Sequence, residues 1–173
     1  MNAINDVDAI RQVANRYCRG VDRLDTEVMK SAYWPDAIDD HGVFVGNAME
    51  FCERVVHSHA RFLATMHCIF NHSIEISPDG NTATGEIYNV SYLHRPPDDP
   101  DEAGTVLDTW WGRYVDRYER RGHEWRIIHR RVVHEWTKSE RITTPMSIDA
   151  AAFGQGSADR GQNSTGRLGS DRV

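Results

Sequence analysis

The side chains best suited to moving a proton are His67 and Asp22. His67 stands in the stretch Thr65-Met-His-Cys-Ile-Phe-Asn-His72, where strand alternation puts His67, Ile69 and Asn71 on one face and Met66 and Cys68 on the other. An imidazole among apolar neighbours tends to lose its charge, whereas a nearby carboxylate restores its basicity and fixes its tautomer, as a general base requires. Asp22 is the natural carboxylate. It follows Gly20-Val21 at the end of a helical segment, where the helix dipole repels negative charge, so another partner must account for it. A histidine in a strand is also an ordinary structural or surface residue, and spacing alone does not choose between the two.

A second group of side chains can hold a ligand. Residues 124–136 carry His129, Arg130, Arg131 and His134. Strict alternation puts Arg130, Val132, His134 and Trp136 on one face, and Trp125, Ile127, His129, Arg131 and Val133 on the other. Facing a pocket, an arginine can hold a carboxylate, halide or enolate oxygen; on a surface it pairs with Asp116 or Glu119. Tyr17, Tyr33, Trp34, Tyr88, Tyr92, Trp110 and Trp111 either line an aromatic pocket or fill the core. Asp39, Asp40 and His41 have the composition of a metal cluster, but adjacent residues of an extended segment point opposite ways, so one centre cannot readily use all three. A metal-free site without a cofactor is expected. The glycines are scattered in turns, with no phosphate-cradling loop and no serine nucleophile elbow.

The elements that must position these residues follow from periodicity. Val7, Ile10, Val13, Ala14, Tyr17 and Cys18 recur at helical steps, with Asp6 available as a cap and Gly20 loosening the end. A short helix is predicted over 26–33, stopped by Pro35, then a brief strand over 41–46. Asn47 and Glu50 suggest a capping box for a third helix reaching about residue 62. From there the period becomes two. Strands are predicted over 66–76 and 82–93, joined by Ser77-Pro-Asp-Gly-Asn81, and over 106–118 and 124–136, joined across Glu119-Arg-Arg-Gly-His123. Helices first and antiparallel strands afterwards indicate an α+β fold. After about residue 138 the composition shifts to Ser, Thr, Gly, Asp and Arg, and 154–173 lacks apolar periodicity, as expected of a mobile tail or an arm that orders against a partner.

With 173 residues, one domain large enough for a core and a ligand cavity is the default. Hydrophobic residues make up 39% and charged residues 27%, with no apolar run long enough to span a membrane. No secretory signal is visible at the N-terminus, and a cytoplasmic location is expected. The formal net charge of −6 disfavours nucleic acid, whose phosphates call for a basic surface. Cys18, Cys52 and Cys68 are widely spaced and odd in number, which points to reduced thiols rather than a disulfide framework or zinc site.

Several segments taken in order, Arg16-Tyr17-Cys-Arg-Gly-Val-Asp22, Tyr33-Trp34-Pro-Asp-Ala37, Thr65-Met-His67, and Tyr114-Val-Asp-Arg-Tyr-Glu119 followed by Trp125-Arg-Ile127, resemble the SnoaL-like branch of the nuclear transport factor 2-like superfamily. The resemblance covers roughly residues 5–137. It implies a cone-shaped, curved, largely antiparallel sheet wrapped around N-terminal helices over 1–137, with 138–173 as an extension. In dehydratases and a dehydrochlorinase of that family, a helix-end aspartate pairs with a strand histidine that removes a proton from the substrate, and Asp22 and His67 match those positions. Tyr17 matches a pocket tyrosine, and Arg130 falls near an arginine of the dehydrochlorinase; Tyr33, Trp34, Tyr88 and Trp110 complete the candidate substrate-binding set. The implied activity is a cofactor-independent lyase, of dehydratase, dehydrohalogenase or deformylating type, acting on a small hydrophobic, aromatic or alicyclic molecule. The same fold also serves isomerases, cyclases and the non-catalytic small subunits of aromatic-ring dioxygenases. A homo-oligomer, dimer or trimer, is expected because the open outer face of such a sheet can be buried against another copy.

Overall fold

The computed structural model describes residues 3–148, so the predicted tail over 154–173 lies outside them. Helix α1 spans Ala3–Arg23 and buries Ile10, Val13, Ala14, Tyr17, Cys18 and Val21, the stripe its spacing requires. Gly20 does not end it. A Cβ at that position would lie 2.5 Å from the Met29 backbone nitrogen, so glycine is what allows helix α2, Thr26–Lys30, to cross so closely. The chain reverses at Leu24, which takes a left-handed φ of 53°, and Asp25 caps α2 by accepting from the Val28 N–H. Asp6 is not the cap of α1. Its carboxylate accepts from Trp125 Nε1 at 3.0 Å and ties the helix to the sheet.

Strands β1 (Tyr33–Asp40) and β2 (Val45–Asn47) precede helix α3 (Ala48–His59), and β3 (Ala64–Ile76), β4 (Thr82–Arg95), β5 (Thr105–Arg121) and β6 (Glu124–Ile142) follow it. The order across the sheet is β2-β1-β6-β5-β4-β3. Every neighbouring pair is antiparallel except β1 with β6, which is parallel. The sheet is therefore mixed and open, and the helices pack on its concave face, where the core lies. On the outer face Phe70, Tyr88 and Trp136 stay exposed.

Local signals place most elements. Asn47 caps α3 by accepting from the Met49 N–H at 2.8 Å, and Gly80 and Gly122 supply the positive φ of the two hairpin turns. Elsewhere the fold departs from the sequence reading. Helix α2 ends at Lys30 and Tyr33 opens β1, with Pro35 in the stretch between Tyr33 and Ile38 where the register against β6 slips; a missing N–H costs no ladder bond there. Residues 41–44, predicted as strand, form the turn between β1 and β2. Strand β6 runs past Trp136 to Ile142, which pairs with Thr105.

Three irregularities change which side chains face inwards. One of them leaves Glu135 as an extra residue of β6, since Trp111 opposes Trp136 while Gly112 opposes His134, and turns Trp136 to the outer face instead of the Arg130 face expected. In β3 the register shifts between Ile69 and His72, so Asn71 turns out to solvent and His72 continues the inner face. In β6, Arg117 opposes His129 while Tyr118 opposes Ile127, leaving Ile128 as the extra residue of a bulge. Trp125 and Ile127 consequently share the buried face with Arg130, against the strict alternation expected.

Candidate active site

Asp22 sits in the last turn of α1 and His67 near the start of β3. Their side chains meet: His67 Nδ1 lies 2.6 Å from Asp22 Oδ1. The second carboxylate oxygen accepts the His67 backbone N–H at 2.9 Å. Helix and strand are thus joined by one carboxylate used at both oxygens, which fixes its rotamer as well as its partner. Because a carboxylate only accepts, the ring proton is held on Nδ1 and the lone pair of a neutral imidazole is presented at Nε2. The side chains keep 8% and 20% of their exposure, so the pair is shielded but reachable.

His67 opens into a cavity of about 280 Å³. Tyr17 and Val21 of α1, Phe51 and Val55 of α3, Leu93 of β4, Trp110 and Tyr114 of β5 and Val132 of β6 give it a largely apolar wall. His41, Ser58, His59 and Ser91 supply the polar points. An apolar hollow with a few converging polar groups is the usual form of a small-molecule site. Burial pushes the Tyr17 hydroxyl well above its ordinary pKa, with the neighbouring Tyr114 adding to the effect and Arg130 opposing it. Tyr17 therefore meets a ligand as a neutral hydroxyl. Burial likewise pushes the thiols of Cys18 and Cys52 up to about 12, which keeps them protonated and poor nucleophiles.

The candidate ligand-binding residues separate into three groups. Tyr17 and Trp110 line the cavity. Tyr33 and Arg130 are fully buried behind it. Trp34 and Tyr88 are elsewhere: Trp34 donates from Nε1 to the Glu119 carbonyl and lies under Arg121 and Arg126, while Tyr88 is 47% exposed on the outer face. Parity explains Tyr88, since its β4 neighbours Ile87 and Asn89 are the buried ones.

Arg130 is neither a pocket cation nor a surface one. It makes a bidentate pair with Asp116, Nε to Oδ1 at 2.8 Å and Nη2 to Oδ2 at 2.7 Å. The guanidinium lies 4.2 and 4.1 Å from the Tyr17 and Tyr114 ring centres. Burial works against its charge and the Asp116 carboxylate more than restores it, so its pKa is raised above the ordinary value. The tyrosines of the cavity floor thus rest on a neutralised ion pair.

Sequence reasoning missed a second imidazole–carboxylate pair. Asp39 on β1 is fully buried, accepts from the Tyr33 hydroxyl at 2.7 Å, and contacts His41 Nδ1 with its other oxygen. Asp40 turns away and accepts from the Gly42 N–H. The opposite-face argument that separated Asp39-Asp40-His41 as a cluster is also what leaves Asp39 and His41, two residues apart, on one side. Among the described residues no three metal-ligating side chains converge. Asn89 and Ser91 were missed as well: Asn89 donates to the Tyr114 hydroxyl at 2.7 Å and to Ser91 Oγ at 3.2 Å. Their spacing on β4 was the available signal.

The SnoaL-like domain profile matches residues 2–131, and the chain belongs to that family, within the nuclear transport factor 2-like superfamily. Among solved structures, a protein of Novosphingobium aromaticivorans described as a candidate scytalone dehydratase is 14% identical, with 84% of this chain and 96% of that one covered and a TM-score of 0.68. A type 2 hexachlorocyclohexane dehydrochlorinase is 16% identical over 84% and 97% of the two chains, with a TM-score of 0.69. A further Novosphingobium aromaticivorans protein, described as a candidate aromatic ring hydroxylase, is 20% identical over 82% and 96%, with a TM-score of 0.63. At such identities these likenesses speak to the fold. No curated protein matches the sequence. No helix of the described residues is long and apolar enough to cross a membrane.

Proposed function

We propose that the chain is a cofactor-independent lyase acting on a small hydrophobic molecule, with His67 as general base and Asp22 as the carboxylate that orients it. The observation that carries this reading is the two-point grip of Asp22 on His67, at Nδ1 and at the backbone N–H, beside an apolar cavity. His67 Nε2 takes a proton from carbon or hydroxyl, Asp22 offsets the imidazolium charge, and the substrate expels a leaving group. Trp110 and Leu93 give an aromatic or alicyclic ring an apolar wall, and Tyr17 offers a neutral hydroxyl beside it. Membership of a family with dehydratase and dehydrochlorinase relatives supports elimination.

An isomerase or cyclase can use the same pair without losing a group. Incubation of the protein with hydrophobic carbonyl compounds bearing a leaving group on the β carbon, followed by mass analysis, separates the two. A product lighter by the leaving group supports the lyase; a product of unchanged mass replaces it with the isomerase.

A further inference from the structure

His41 and Asp39 form a second imidazole–carboxylate pair directed at the same cavity. His41 lines that cavity and Asp39 stands behind it. The two pairs come from opposite halves of the sheet: β1, next to the edge strand β2, carries Asp39 and leads into His41, the edge strand β3 carries His67, and β6, β5 and β4 lie between them. Curvature brings these distant strands to face one hollow.

The second pair is as firmly held as the first. Asp39 has no exposure and both oxygens engaged, one by the Tyr33 hydroxyl and one by His41. A buried carboxylate needs a compensating charge, and an imidazolium supplies it better than a hydroxyl does. The His41 ring stacks on Phe51 with centres 4.0 Å apart and planes inclined by 27°, which sets its orientation. Its outward nitrogen, Nε2, has only a loose contact with the Tyr17 hydroxyl at 3.4 Å. A substrate oxygen can take that place.

We infer that, in an elimination from a β-substituted carbonyl compound of the kind named above, His41, held by Asp39, is the acid that protonates a departing oxygen. This rests on the lyase reading and deepens it. His67 Nε2 takes the proton from the carbon next to the carbonyl, and the C–H electron pair becomes the new C=C bond. The C–O bond breaks with its pair on oxygen, and His41 Nε2 gives its proton to that oxygen, releasing water. His67 ends protonated and His41 neutral, and one proton returned through solvent resets both. A poor leaving group such as hydroxide needs this donor, whereas chloride does not.

The test does not depend on turnover. Para-nitrophenol, whose coloured phenolate mimics an oxygen leaving with negative charge, is titrated against the full chain and against H41Q, H41F and H67Q, with thermal melting as the check on folding. The phenolate should bind the wild type, and H41Q and H41F should each weaken it by ~10-fold or more, the worth of a hydrogen bond to a charged group, with a smaller loss in H67Q. H41F keeps the stack on Phe51, so its loss cannot be put down to packing. No phenolate binding by the wild type at millimolar concentration, an equal or larger loss in H67Q, or failure of both His41 variants to fold overturns the assignment.

Turnover then separates this inference from the one beneath it. On the benzaldehyde–acetone aldol and its β-chloro counterpart, H41Q should lose ~100-fold against the hydroxy compound, the lower range of general acid catalysis, and far less against the chloro compound. Equal losses on both overturn the leaving-group role while the lyase survives. Phenolate held through His41 without any elimination removes the lyase and leaves the oxygen site standing.

Discussion

Two paired carboxylates on the concave face, Asp116 with Arg130 and Asp22 with His67, differ in what each pair has left over. Arg130 and Asp116 have no exposure, and both carboxylate oxygens are taken by the guanidinium, with the Tyr118 hydroxyl also donating to Oδ2 at 2.9 Å. Nothing can reach them. His67 and Asp22 spend one ring nitrogen and both carboxylate oxygens on each other and leave Nε2 on the cavity. Arg130 Nη1 is left without a hydrogen-bond partner but is sealed in the core, whereas His67 Nε2 is left on the cavity; a pair closed off from the cavity makes a support, and one open to it makes a reagent.

That contrast can be broken or sharpened by experiment. Asp22→Asn should cut turnover by roughly 100- to 10,000-fold, the range of a general base contribution, with the melting temperature little changed; an active D22N would refute the pairing as the source of basicity. Arg130→Met should do the reverse. It strands Asp116 without its charge partner, and denaturant unfolding should show a loss of about 3–5 kcal/mol; a smaller loss would mean that water reaches Asp116. Tyr17→Phe keeps the ring over Arg130 and deletes only the hydroxyl, so stability should fall by about 1 kcal/mol or less, with any kinetic effect appearing in substrate binding.

The smallest expected effect concerns His72, which the β3 bulge turns inwards. Burial lowers its pKa from the ordinary 6.5, so the unfolded chain binds the proton more readily than the folded one. The corresponding stability is present above about pH 6.5 and is lost as the pH falls from there through the lower folded-state value. H72Q should flatten the dependence of the melting temperature on pH in that window, and an unchanged slope would mean that another group controls it.

Much of this molecule was legible residue by residue. The stripe of α1, the Asn47 cap and the Pro-Asp-Gly turn are local signals, decided by groups a few positions apart, and each forms where the pattern says. Asp22 and His67 could be singled out because an acid at a helix C-terminus is misplaced by its own helix and a histidine in an apolar strand is misplaced by its neighbours. Trp34 and Tyr88 shared the aromatic character of the cavity residues but not their side of the sheet. Asp39 and His41 were read against a metal and dismissed together, although their spacing already allowed them to meet.

What the sequence by itself determined was the period of each segment and therefore the kind of element it forms, because periodicity is a property of neighbours. Only the tertiary structure decided which side of each strand faces inwards past a bulge, since the extra residue at Ile128 and the slip after Ile69 are defined by the partner strand. It also decided that β1 and β3, separated by three strands, share one cavity. Register and curvature are relations between segments distant in the chain, and no run of adjacent residues carries them.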